Sequence, residues 1–311
     1  MEFKHISVLY NESLDGLAVK SGGIYLDGTL GGAGHSKGIL ERLGKTGRLI
    51  CNDLDTNAIE NAKTVLADYL QKVTFIHDDY KNILTHLDEL QIDELDGILL
   101  DLGVSSPQID DPSRGFSYSK PAPLDMRMDT EQELDAKGVI NGYSEEELAK
   151  IFFEYGEEKL SRKIARAIVR EREKAEITTT DRLADIIERC YPAGYRFKHG
   201  HPAKRVFQAV RIEVNGELEG LYDFIYNVAL RLKKGGRMAV ITFHSLEDRI
   251  VKNAFQELEK DCICDKRLPV CVCNKRQEVK ILTKKPIVAS EQELKDNKRA
   301  ESAKLRIVER V

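Results

Sequence analysis

The stretch Asp27-Gly28-Thr29-Leu30-Gly31-Gly32-Ala33-Gly34-His35 follows a short apolar run and leads into apolar residues at helical spacing. Glycines at such a strand-to-helix turn permit positive φ and let a ligand approach the backbone, because no Cβ intervenes. In open parallel sheets, ligands sit beyond the carboxyl ends of the strands. Asp53, about twenty residues after the glycine loop, ends the next strand-like run, where a carboxylate can accept bonds from both ribose hydroxyls of an adenosine. A nicotinamide dinucleotide would need G-x-G-x-x-G, with a third glycine three residues after Gly34; that position is Lys37. S-adenosylmethionine has no pyrophosphate and tolerates the departure. The pattern predicts this cofactor on Gly32, Ala33, Gly34, His35 and Asp53. Asp79-Tyr80 would border the adenine, unless Tyr80 is simply a core or rim aromatic.

Two further groups of residues invite chemistry. Cys262-Ile263-Cys264 and Cys271-Val272-Cys273 are two Cys-x-Cys pairs separated by six residues. Four thiolates so close could bind zinc, but the usual knuckle is Cys-x-x-Cys, so no metal is expected and reduced thiols or a redox-labile pair are the reading. From Pro192 to Ile212 the chain carries Arg196, Lys198, Lys204, Arg205 and Arg211 with no acidic residue. The segment from Lys159 adds Arg162, Lys163, Arg166, Arg170, Arg172 and Lys174 against Glu171 and Glu173. Such local clusters suit contact with RNA phosphates, the alternative being solvated helix faces. The formal net charge of -4 argues against a wholesale polyanion binder.

Alternating elements must position these residues. Gly23–Asp27, Arg48–Asp53, Val73–His77 and Leu95–Asp101 read as buried strands. Between them, Ser36–Leu43, Thr56–Tyr69 and Asn82–Leu90 read as helices, which implies right-handed crossovers and a parallel sheet. Gly103–Met128 is loop-like, broken by Pro107, Pro112, Pro121 and Pro123. Ser144–Phe153, Glu157–Glu173 and Thr180–Cys190 are helical without intervening strands. The alternation resumes with a helix from about Glu217 to Leu232 and a strand Arg237–Thr242. The fold class is therefore α/β: a doubly wound, mostly parallel sheet with an inserted, mainly helical domain. Residues 1–107 and 216–311 form the cofactor-binding domain, and 108–215 the insertion; the tail from Cys262 is basic and only partly regular.

At 311 residues with 41% hydrophobic and 32% charged residues, the chain can bury a sizeable core and keep a soluble surface. Met1-Glu2-Phe3-Lys4-His5 leads into no apolar signal region. No stretch approaches the roughly 18 apolar residues of a membrane span, so a cytoplasmic enzyme without a membrane partner is expected. Six cysteines in a chain this long do not suggest a disulfide scaffold.

Leu100-Asp101-Leu102-Gly103-Val104-Ser105-Ser106-Pro107-Gln108 makes the reading less anonymous. With Arg114-Gly115-Phe116-Ser117, Asp125-Met126-Arg127-Met128-Asp129, the run Arg205 to Asn215 and Phe243-His244-Ser245-Leu246-Glu247-Asp248-Arg249, it closely resembles the bacterial 16S ribosomal RNA cytosine-N4 methyltransferases. The similarity spans the chain from His5 to the tail. The resemblance implies a Rossmann-like class I methyltransferase fold and N4 methylation of the cytosine numbered 1402 in 16S rRNA, in the decoding centre. The substrate would be the small ribosomal subunit or its precursor; a homodimer stays open. Ala33, Gly34, His35, Asp53, Tyr80, Asp101 and Gln108 match the family's cofactor-contact positions.

The chemistry can be reasoned independently. A cytosine exocyclic amine is a poor nucleophile, because its lone pair is delocalised into the ring. It must be placed in line with the sulfonium methyl, with acceptors for its N–H groups. Acceptors after the fourth strand are the Asp101 carboxylate, the Ser105 and Ser106 hydroxyls and the carbonyls before Pro107. Many amino-methyltransferases use Asn/Asp-Pro-Pro-aromatic there; this chain has Ser-Ser-Pro-Gln. We expect Asp101 to serve mainly the cofactor and the Ser105-Ser106-Pro107 turn the base. Carbon-5 methylation would need a nucleophilic cysteine near this loop, and none lies between Cys51 and Cys190. Lys204, Arg205 and Arg211 are expected to face phosphate, with His199 and His201 nearby. The helical insertion is the natural platform for a splayed-out base. His244 and Asp248 read either as substrate contacts or as a helix-start hydrogen-bond network. The rival functions are another RNA methyltransferase, at a ribose hydroxyl or other base nitrogen, and a non-catalytic RNA-binding assembly factor.

Overall fold

The computed structural model describes residues 7–192, 201–265 and 270–311. The chain divides into two compact units, one of residues Met1–Gly103 and Leu218–Val311, the other Val104–Glu217. The first carries a seven-stranded sheet: β1 (Ile24–Asp27), β2 (Arg48–Asp53), β3 (Val73–His77), β4 (Leu95–Asp101), β5 (Leu232–Thr242), β6 (Val279–Ile281) and β7 (Lys304–Arg310), in the order β3-β2-β1-β4-β5-β7-β6. The first five pair in parallel; β7 runs antiparallel to β5, and β6 antiparallel to β7.

The central strands are continuously apolar because both faces of the sheet are covered. Leu26, Ile50, Ile98, Leu100, Met238 and Val240 point into one core, which is closed by the helices Ile83–Glu89, Leu221–Ala229 and Ser245–Glu259. Their neighbours Tyr25, Leu49, Cys51, Leu99, Ala239 and Ile241 point into the other, under Tyr10–Leu17, Gly34–Arg42 and Thr56–Val65. A two-residue period on each strand thus feeds two separate cores.

Three sequence expectations are corrected here. The helix read over Thr56–Tyr69 stops at Val65 and tightens into a 3-10 segment, Ala67–Lys72. The helix expected from Glu217 starts at Leu221, because Gly220 takes φ 68° and breaks the helical path before it. The tail holds a full strand: Leu305 and Ile307 enter one core and Val308 the other, while Arg306 is held by Asp248. Its charged residues disguised the strand.

The second unit is helical, with Ser106–Asp110, Ala136–Gly142, Glu145–Glu154, Ser161–Arg172, Thr180–Arg189 and Ala203–Asn215 among the described residues. Phe152, Ile164, Ile168, Leu183, Ile187, Val206 and Val210 meet in its own core. The loop expected over Gly103–Met128 contains the short helix Ser106–Asp110, started by a capping box. The Ser105 hydroxyl accepts from the Gln108 N–H at 3.5 Å, and the Gln108 side-chain oxygen accepts from the Ser105 N–H at 3.0 Å. Pro107 sits in the first turn, where its missing N–H costs nothing. Ser105 to Gln108 belong to the helical unit.

Candidate functional site

The chain leaves β1 toward β2 and β3 on one side, and β4 toward β5 on the other, so the β1–β4 pair is the topological switch point. Crevices at that point receive ligands in open α/β sheets. Here the two strands end on carboxyls, Asp27 and Asp101, and β2 ends on Asp53.

The glycine loop is anchored at every step. Gly28 N–H donates to Leu99 O at 3.0 Å, Leu30 N–H to Asn52 O at 3.0 Å, and Ala33 N–H to Leu30 O at 2.8 Å. Asp101 N–H donates to Thr29 Oγ1 at 2.6 Å, tying β4 to the loop. Gly31 takes φ 49° and Ala33 φ 61°, the left-handed turn that launches the helix Gly34–Arg42. Two of the glycines are small for packing reasons: a Cβ on Gly28 would lie 2.5 Å from Leu100 Cδ2, and one on Gly34 would lie 2.1 Å from Ser7 Oγ.

Asp53 accepts from Gly31 N–H at 2.7 Å and from Asp55 N–H at 2.8 Å through different oxygens. Each oxygen keeps a lone pair for a ribose hydroxyl. Burial raises its carboxyl above the usual range, opposed by those backbone bonds. Tyr80 begins a 3-10 turn after β3, and its ring packs on Phe224 with centroids 4.9 Å apart. It is a partly buried aromatic that also borders the Gly28 backbone.

Asp27 is fully buried and accepts from Ser36 Oγ at 2.6 Å; burial pushes its carboxyl up to about 7. Burial, with repulsion from Asp27 and Glu247, pushes the Asp101 carboxyl up to about 8. Asp101 Oδ1 is buried and makes no hydrogen bond among the described residues. His35 lies against it, with Nδ1 3.6 Å from Asp101 Oδ2, while His35 Nε2 donates to Val8 O at 3.1 Å. A ribonucleoside carrying a positive charge fits this set: acceptors for its diol on Asp53, and the Asp27 and Asp101 carboxyls ending the two strands of the switch point. Sequence reasoning passed over Asp27; its position ending β1 at the head of the glycine loop was the available signal.

The remaining expected site residues are scattered. Ser105 and Gln108 are engaged in their mutual cap; Ser106 is partly exposed and Pro107 exposed, all in the helical unit. Lys204 and Arg205 are exposed at the start of the helix Ala203–Asn215. Arg205 Nη1 lies 3.9 Å from buried Glu158 Oε2, and the Arg211 guanidinium is held more closely, gripping buried Glu217 through two bonds of 2.7 Å, at odds with the phosphate-facing work expected of it. His201 pairs with Glu188 at 2.8 Å and stacks on Tyr118. Arg196, Lys198 and His199 lie outside the described residues, as does the Met1–His5 segment.

For His244, the helix-start network is the one of its two readings that the structure displays. Its side chain is 6% exposed and Nδ1 accepts from Glu247 N–H at 3.4 Å, capping the helix Ser245–Glu259, while the Glu247 carboxylate receives the Phe243 and His244 N–H groups. Asp248 makes two bonds to Arg306, at 2.6 and 3.1 Å. The helix-start network is what the structure contains.

Other motif residues brace the helical unit. Asn215 donates to Met126 O at 2.8 Å and accepts from Met128 N–H at 2.7 Å. Arg114 donates to the Arg127 and Met128 carbonyls, and Arg127 grips Asp125.

The chain is 56% identical to Ribosomal RNA small subunit methyltransferase H of Clostridium botulinum (strain 657 / Type Ba4) over the full length of both chains. It is 55% identical to the same-named protein of strain Kyoto / Type A2, again over all of both chains. An rRNA methylase structure from Streptococcus thermophilus aligns with 99% of each chain at 12% identity and a TM-score of 0.41. Residues 2–311 match the model of the MraW methylase family, and the chain belongs to that family.

Proposed function

We propose that this methyltransferase moves a methyl group from S-adenosylmethionine to the exocyclic N4 amine of a cytosine in 16S rRNA, in the cytoplasmic small ribosomal subunit or its precursor. The relatives' names support the RNA class, and the resemblance of the Leu100–Gln108 and Arg205–Asn215 motifs supports the cytosine amine. The observation that carries the cofactor reading is the Asp27–Asp101 pair with its unsatisfied Oδ1. Carboxyls ending two neighbouring strands, Asp27 fully buried and Asp101 with a buried oxygen that has no hydrogen-bond partner among the described residues, suit a ligand that brings a positive charge.

The bound cofactor supplies an activated methyl on a sulfonium. Asp53 accepts its ribose hydroxyls, the Gly32–His35 turn and Tyr80 flank its nucleoside, and Asp101 faces its positive charge. Methyl transfer would leave the sulfur neutral and release one proton from the N4 amine to solvent, so the Asp101 carboxyl would favour the sulfonium reactant over the neutral product. For the target amine, the Ser105 hydroxyl, which keeps one lone pair beyond its helix cap, the Ser106 hydroxyl and the carbonyls before Pro107 are the acceptors for its N–H groups. Lys204 and Arg205 hold the RNA backbone as exposed cations.

Isolated small subunits lacking the modification, incubated with labelled cofactor and mapped by mass spectrometry, test this reading. A single labelled cytosine amine is expected. Label on a ribose hydroxyl or another base nitrogen would favour a different RNA methyltransferase, and no label a non-catalytic assembly factor.

A further inference from the structure

The segment after the helix Ser245–Glu259 carries four cysteines that the methyl-transfer chemistry does not use. Their sulfurs converge. Cys262 and Cys271 Sγ lie 3.5 Å apart, Cys264 and Cys271 3.9 Å, Cys271 and Cys273 3.5 Å, and Cys273 and Cys262 3.8 Å. All four fall within 4.8 Å of one another. From this geometry we infer that Cys262, Cys264, Cys271 and Cys273 form a structural zinc site.

The distances discriminate among the chemistries. Four sulfurs at the corners of a tetrahedron around zinc, with Zn–S of about 2.3 Å, are about 3.8 Å apart along each edge. A disulfide would draw two sulfurs to about 2.05 Å and leave the other pair indifferent. Here all four approach a common centre. A donor set of thiolates alone selects a soft or borderline ion, and a closed set of four fits a structural rather than a catalytic site.

The surroundings fit as well. Backbone N–H groups point at the sulfurs: Ile263 to Cys273 at 3.4 Å, Cys264 to Cys262 at 3.4 Å, and Val272 to Cys264 at 3.3 Å. Such donors spread the negative charge that four thiolates keep after binding one divalent ion. Among the described residues of this segment, the apolar side chains Ile263, Val270 and Val272 are 59%, 70% and 72% exposed rather than packed in a core. Ordering it costs backbone entropy that burial does not offset, and a metal crosslink supplies the missing free energy. The base of the segment is tied to the sheet unit, where Lys275 Nζ lies 3.4 Å from both Tyr226 Oη and Glu257 Oε1, and Glu278 N–H donates to Leu258 O at 2.9 Å. The expectation of reduced or redox-paired thiols gives way to a zinc clip projecting from the methyltransferase unit.

On binding, the thiols give their protons to solvent and four Zn–S bonds form, with no change in oxidation state. The inference is independent of which RNA atom is methylated. The test uses the full chain, reduced, loaded with zinc and freed of excess by gel filtration. One zinc per chain is expected. Chelator should remove it and expose four thiols to a thiol reagent, while Cys51 and Cys190 stay buried. Replacing zinc with Co(II) should give thiolate-to-cobalt charge-transfer absorption and the intense visible bands of tetrahedral cobalt. The Cys262→Ser/Cys271→Ser variant should retain no stoichiometric zinc, and if it does not fold, chelation and reloading of the wild-type chain decide the matter. Substoichiometric zinc in the reduced, loaded chain, or undiminished zinc in a folded variant, would overturn the inference.

Discussion

His35 Nδ1 stands 3.6 Å from Asp101 Oδ2, too far for a hydrogen bond yet close enough for their charges to interact. Nε2 of the same ring donates to Val8 O at 3.1 Å, which fixes the ring's orientation. The Asp101 proton is held by burial and by two neighbouring carboxyls until about pH 8.

A cationic ligand must displace that proton, so S-adenosylmethionine should bind more tightly as pH rises. With Asp27 pushed to about 7 and Asp101 to about 8, the rise should span neutrality and level off above about pH 8.5. One displaced proton gives at most about a factor of ten per pH unit. S-adenosylhomocysteine shares the amino-acid and nucleoside parts but lacks the sulfonium, so its profile should be flatter. Calorimetric titrations of both ligands across this range check the difference; parallel profiles would refute it.

The same shift predicts a stability effect without ligand. An aspartate with a raised folded-state pKa binds more protons folded than unfolded between about 4 and 8, so its contribution to stability falls as pH rises through that window. Asp101→Asn removes the liability. The variant should melt several degrees above the wild type at about pH 8.5, and the gap should close toward about pH 4. At the same time it should bind S-adenosylmethionine at least about tenfold more weakly. Greater stability with poorer binding would mark Asp101 as a ligand-facing residue.

The sheet was legible because burial on both faces makes its strands continuously apolar, as in Leu49-Ile50-Cys51 and Ile98-Leu99-Leu100. β7 was not, because Lys304, Arg306 and Arg310 read as a basic tail; only the fold brings Asp248 to Arg306. The helix Ala203–Asn215 could have been read from the buried Val206, Val210 and Val214. In the site, Asp53 and Asp101 followed from their places at strand ends. Spacing cannot say which cations find partners, so Arg211 looked like Lys204 until Glu217 was seen beside it.

Gly115 offers a strong packing test. Its φ is +70°, and an added Cβ would lie 2.3 Å from Pro123 O and 2.9 Å from Asp125 N, both backbone atoms that cannot swing aside. Gly115→Ala should cost about 2–4 kcal/mol from left-handed strain and overpacking. Gly142, with nothing within 4 Å of an added Cβ, should accept alanine with little change. Thermal melts of the two variants should separate clearly, and similar melting points would contradict the geometry.

Adjacent serines should fail in different ways. Ser105 caps a helix, so Ser105→Ala should lower stability by about 1 kcal/mol. Ser106→Ala should leave the melt and S-adenosylmethionine affinity unchanged and lower turnover on small subunits. Full turnover would remove Ser106 from the amine's surroundings.

The cations of the helix Ala203–Asn215 divide in the same manner. Lys204→Ala and Arg205→Ala should each weaken RNA binding and reduce the slope of log affinity against log salt by about one, the signature of a lost phosphate contact. Neither should alter cofactor affinity. Arg211→Ala strands the Glu217 carboxylate in a buried position, which is costly whether or not RNA is present. It should lower the melting temperature and leave the salt slope near the wild-type value, because its guanidinium is spent inside the protein. Salt-dependent binding measured beside thermal melts for all three variants distinguishes an RNA contact from a buried brace. A stable Arg211→Ala protein with a reduced slope would return that residue to the RNA surface.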